Sequence, residues 1–177
     1  MLPQLNYKRA VATFLLAYIV VTILAIAFSV TIGIALNLPQ TPEPMQNQAY
    51  LLSERFLPLL NLVVWGFFAW VYLGRRTHSQ RSKVQDKARS ETRSTTQSET
   101  RSDTRSEAIA LGTFWLTAAA AVDYLFFVLI KNPLSLTPHD FYMGQFPWIY
   151  LIYSAIFLAP IATSAMSSPR RSTKSNL

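Results

Sequence analysis

AVATFLLAYIVVTILAIAFSVTIGIALNL, residues 10–38, decides how the chain is read, because no charge occurs between Arg9 and Glu43. A helix needs about 20 apolar residues to cross a hydrocarbon core roughly 30 Å thick, so this stretch spans with length to spare. Tilt takes up the surplus, or the helix ends near Gly33, ahead of the turn-forming Asn37, Pro39, Pro42 and Pro44. Lys8 and Arg9 precede it as they would a signal peptide, but a cleaved signal carries only about 7–15 apolar residues. The reading is a retained membrane helix.

Outward from this segment the same pattern recurs three times. A second apolar run goes from Tyr50 to Leu73, with Glu54 and Arg55 near its start, and a third from Ala108 to Ile130, broken only by Asp123. The fourth, Phe146 to Met166, starts with Pro147 in the first turn, where proline is tolerated, and carries Pro160 near its far end. The expected fold is an all-α integral membrane protein with four transmembrane helices, 10–38, 50–73, 108–130 and 146–166. They form two helical hairpins with outer loops at 39–49 and 131–145, a cytoplasmic N-terminus at 1–9 and a tail at 167–177.

The remaining segment, 74–107, is of another kind. It holds 14 of the chain's 25 charged residues and repeats a Ser-(Glu/Asp)-Thr-Arg-Ser unit at Ser90–Ser94, Ser98–Ser102 and Ser102–Ser106. With so little apolar surface to offset ordering entropy, it reads as a long disordered cytoplasmic loop. The alternative is a polar helix continuing from a neighbouring span. Of the 16 Lys and Arg residues, 14 lie before the first span, between the second and third, or after the fourth; only Arg55 and Lys131 lie on the other side. The positive-inside rule therefore places both termini and this loop in the cytoplasm of a cell's plasma or inner membrane. Aromatics sit where interfaces are expected: Tyr50, Phe141, Tyr142 and Trp148 outside, Tyr7, Trp70, Tyr72 and Trp115 inside.

Ionisable groups inside a bilayer are costly, so each calls for a partner. Asp123 and Arg55 fall at nearly matching depths from the outer side and form a candidate intramembrane ion pair. Glu54, Pro58, Asn61 and Trp65 share a helix face, so Glu54 and Asn61 are candidates for an outer polar site, with His139 and Asp140 in the loop opposite. For Asn61 the simpler role is a hydrogen bond between helices. Gly112, Leu116, Ala119 and Asp123 form one stripe, Thr22, Ala25, Ser29 and Gly33 another, and Ala155, Ala159 and Ala162 a third, as helix contacts in lipid require. Arg75, Arg76, Arg81 and Lys83 past the second span, and Arg170, Arg171 and Lys174 past the fourth, are expected to contact an anionic inner leaflet.

The function classes narrow by what is missing from the sequence. There is no cysteine, which removes disulfide scaffolds, thiolate metal sites and thiol nucleophiles. The two histidines, His78 and His139, lie outside the spans and on opposite sides, so haem held between spans is not expected; nor is any metal, other cofactor or catalytic residue. Five glycines, none in a phosphate-binding loop, give no nucleotide site. The net charge of +7 is met by topology and lipid, without nucleic acid. What remains is, first, a non-catalytic accessory or assembly component, with protein partners in a membrane complex or a homo-oligomer. Next comes a small oligomeric transporter or channel with an outward-facing polar site around Asp123 and Arg55, and then an outward-facing enzyme acting on a lipid-type substrate.

Overall fold

The structure, a computed structural model, describes residues 5–39, 41, 44–87, 95–131 and 135–166. The described residues contain no strand. Helix α1 is Tyr7–Ala35, α2 Gln48–Glu54, α3 Leu57–Lys87, α4 Thr95–Asp123 and α5 Trp148–Met166. Four helical stretches are long and apolar enough to cross a membrane: Tyr7–Ala35, Leu57–Gly74, Thr104–Leu129 and Trp148–Met166.

The helix ends follow local chemistry. Asn6 caps α1 by accepting the Arg9 amide on its side-chain oxygen at 3.2 Å. At the other end Asn37 adopts φ 50°, the left-handed conformation asparagine tolerates. The Leu38 amide then reaches back to the Gly33 carbonyl at 2.9 Å and the Asn37 amide to Ile34 at 3.2 Å, closing a Schellman motif. The helix thus runs two residues past Gly33.

The second expected span, 50–73, is two helices. Pro58 has no amide to offer the Glu54 carbonyl, so the helical ladder is interrupted and the chain turns at Arg55 and Phe56. Helix α2 is capped instead by Asn47, which accepts the Ala49 amide at 3.0 Å, and the span begins at Leu57. A second departure concerns the polar segment. Helix α3 continues to Lys87 and α4 starts at Thr95, so most of the expected disordered loop has helical backbone. A helix already nucleated in the span propagates without a further nucleation cost, so weak propensity suffices. Residues 88–94 lie outside the described residues, as does the tail from 167 with Arg170, Arg171 and Lys174.

The four long helices alternate in direction. Residues 6–9 of α1 meet 71–72 of α3, and Trp115 of α4 donates its indole N–H to the Ala10 carbonyl of α1 at 3.2 Å. Thr163 of α5 reaches the Gly66 carbonyl of α3 at 3.4 Å. Helices α1 and α4 therefore run one way, α3 and α5 the other. Their shared core contains Ala10, Phe14 and Ala17 from α1, Trp65, Ala69 and Tyr72 from α3, Leu111, Trp115 and Ala119 from α4, and Ile156 and Ala159 from α5. Close approach depends on small residues: a Cβ on Gly112 would stand 2.5 Å from the Phe157 carbonyl oxygen. On α5 the expected small-residue stripe holds at Ala155 and Ala159 but not at Ala162, which is exposed while Thr163 is buried. Tyr72 and Trp115 are buried against the other helices.

Candidate functional site

Two polar clusters occupy opposite ends of the bundle, with aromatic packing between them. At the end formed by the start of α1, the Arg9 guanidinium donates to the Val71 carbonyl at 2.7 Å and lies 5.1 Å over the Tyr72 ring. The Tyr72 hydroxyl donates to Glu107 Oε1 at 3.3 Å and accepts the Asn6 amide at 3.2 Å. Glu107 is only 5% exposed. Sequence reasoning counted it in the polar loop; the signal it left was its position directly before the apolar run from Ala108.

The second cluster is built where α1, α4 and α5 converge. Ala10, Phe14, Ala17 and Val21 repeat at i, i+4, i+7 and i+11 and turn that face of α1 inward, which brings Tyr18 beside them to the seam. Tyr18 donates to Asp123 Oδ1 at 2.5 Å, and Tyr153 of α5 donates to Oδ2 at 3.0 Å. Both carboxylate oxygens are taken by phenols. Directly after Asp123 the backbone widens into a π-helix over Tyr124–Leu129, a feature often found beside functional residues.

Toward the same end, Gln145 donates its amide N–H to the Tyr50 hydroxyl at 2.6 Å, and the Glu54 carboxyl lies one helical turn along α2 from Tyr50, close enough for the two to interact. Glu54 is 4% exposed. Burial holds its carboxyl above the usual carboxylate range, and the nearby Tyr50 hydroxyl only partly offsets this. Tyr50 is pushed well above the ordinary phenol range, first by burial, then by the Glu54 charge beside it, with Asp123 adding a smaller share.

The sequence-derived candidates are therefore only partly brought together. Asp123 does have the intramembrane partners its cost demands, but they are Tyr18 and Tyr153; Arg55 is exposed in the turn after α2, and among the described residues no ion pair joins the two. Two phenols satisfy the carboxylate without the cost of dehydrating a second charge. Asn61 is buried as expected, but its bonds are made within α3: it accepts from the Trp65 indole at 3.0 Å and donates to the Leu57 carbonyl at 2.9 Å. His139 and Asp140 sit 3.6 Å apart, with His139 81% exposed, and Asp140 is tied to Thr137 at 2.7 Å. Neither joins Glu54 or Asp123, and among the described residues no three His, Cys, Asp or Glu side chains come together.

Between the clusters the centre is closed. Trp65 and Trp115 are fully buried with ring centroids 5.2 Å apart, and Phe14 lies 5.7 Å from Trp65. Among the described residues every buried side-chain nitrogen and oxygen has a hydrogen-bond partner. The arrangement can fix the register of α1, α4 and α5 and can hold a proton at Glu54. No protein-family model, no curated protein and no solved structure matches this chain.

Proposed function

We propose that this chain is a non-catalytic component of a membrane assembly, its helices held in register by the two polar clusters. The observation that carries the reading is the closed centre, Trp65 against Trp115, combined with buried polar atoms that find their partners within the protein. Sites that bind or turn over a substrate keep convergent polar groups facing a cavity; here those groups face one another. The Lys and Arg distribution supports an orientation with both termini and the 74–107 segment in the cytoplasm. Much of α1, including Leu16, Ile19, Ile23 and Ile26, is left apolar and exposed, and suits contact with lipid or a neighbouring subunit.

Purification of a tagged copy from native membranes in mild detergent, followed by native mass spectrometry, tests this. A stoichiometric foreign subunit is expected; recovery of the bare chain or a homo-oligomer overturns it.

A second reading, a small oligomeric transporter, is favoured by one observation: among the described residues neither Glu54 nor Asp123 has a basic ion-pair partner. Asp123→Asn separates the two. Normal function at normal abundance agrees with a structural carboxylate, whereas lost function at normal abundance favours transport.

A further inference from the structure

We propose that α2 is a proton-controlled strap, docked across the Asp123 end of the bundle while Glu54 is neutral and released when it ionises. Two contacts clasp it to the connection between α4 and α5. Met45, in the 3-10 turn Pro44–Gln46 just before α2, occupies the space that Gly144 leaves open: a Cβ there would stand 2.8 Å from the methionine methyl. Gln145, the next residue, holds the Tyr50 hydroxyl at 2.6 Å. The rest of the docking is burial of one face of α2, Ala49, Ser53 and Glu54. With seven residues, α2 is too short to persist as a helix once undocked.

The surroundings of Glu54 make its charge the weak point of this docking. Among the described residues no basic side chain forms an ion pair with it, and Arg55, the next residue, is exposed in the turn. The elements packed against α2 bring no cation: α1 has no ionisable residue from Ile19 to Ala35, Pro44–Gln46 has none, and α3 has none before Tyr72. From the side of α5 come Gly144 and Gln145, both uncharged. Tyr50 is the titratable group that acts on the carboxyl, and Asp123, whose charge reaches Tyr50, adds the same sign. An ionised Glu54 in this place has lost its water with no cation to replace it, whereas on a freed strap it is hydrated again. Burial holds the docked carboxyl above the usual range, so the docked state binds the proton more tightly than the released one. Docking is therefore fully favoured below the ordinary carboxylate range and weakens as pH rises through the raised docked value. Release frees Gln145 and remodels the surface that the α1–α3 and α4–α5 connections present together.

The chain has no cysteine, so one introduced thiol reports on the strap in the purified full-length protein. Ser53→Cys places it at a position 1% exposed, and Gln48→Cys, at the exposed start of α2, corrects for the pH dependence of the thiol reaction itself. The ratio of their maleimide labelling rates is expected to rise by up to about tenfold per pH unit above the ordinary carboxylate range and to level off past the raised docked value. In Glu54→Gln, which stays neutral, the ratio is expected to keep its low-pH value throughout. Hydrogen exchange on the unaltered chain needs no variant: corrected for the intrinsic rate, amides 48–54 should lose protection over the same range while those of α5 keep theirs. A flat ratio, protection of 48–54 that does not change, a rise that persists in Glu54→Gln, or a loss of protection shared by α5 overturns the proposal.

Discussion

The two ends of the bundle solve the same problem with different chemistry. At the start of α1, a carboxylate, Glu107, is accompanied by a cation: Arg9 lies over the Tyr72 ring whose hydroxyl donates to Glu107. At the far end Asp123 is held by the hydroxyls of Tyr18 and Tyr153, and no basic group joins it among the described residues. A phenol is the cheaper partner in an apolar setting, because it satisfies a lone pair without bringing a second charge out of water. The difference teaches that an intramembrane carboxylate need not imply a nearby cation, and it can be attacked from several sides.

The largest effect is expected where the ends are kept apart. Trp115→Ala removes a fully buried indole and its bond to the Ala10 carbonyl, and should cost about 4 kcal/mol in the unfolding of detergent-solubilised protein. Next, Asp123→Leu strands two phenol hydroxyls and should cost about 2 kcal/mol, while Asp123→Asn, which keeps an acceptor, stays within about 1 kcal/mol. Equal losses for the two variants would show that charge, not acceptor geometry, is what the phenols require. At the opposite end Tyr72→Phe should cost about 1 kcal/mol, through the Glu107 and Asn6 bonds together.

A pH scan sharpens the contrast further. The Glu54 carboxyl is raised in the folded protein, so the fold binds that proton more tightly than the unfolded chain does. Its contribution is fully present below the ordinary carboxylate range and is lost as pH rises through the raised folded value. The thermal midpoint should therefore climb as pH falls from neutral toward that range, and Glu54→Gln should flatten the climb. A slope unchanged in Glu54→Gln would place the titrating group elsewhere. The smallest effect belongs to Arg55→Ala, expected within about 0.5 kcal/mol and additive with Asp123→Asn, since no ion pair joins the two side chains among the described residues. Measurable coupling between them would restore the ion pair.

The four spans were legible because apolar runs of that length without charge have few other uses, and the Asp123 position was legible because a lone carboxylate there is expensive. What escaped was the identity of partners. Tyr18 and Tyr153 look like any aromatic in a span until three helices are placed together, and Tyr72 carries the same amphipathic signal whether it faces a headgroup or Glu107. The break before α3 was readable in principle: Pro58 lies four residues after Glu54, where a continuous helix would need its amide. The helical course of 75–87 was not, because propensity alone argues weakly and the decisive help comes from the span it extends.

That extension sets a distance. From Gly74 the backbone of α3 carries on to Lys87, which adds about 20 Å along the helix axis. Whatever approaches along that helix meets its polar turns before it meets the apolar stretch that ends at Gly74. Removing seven residues, close to two turns, would shorten that extension by about 10.5 Å while nearly preserving the helical phase.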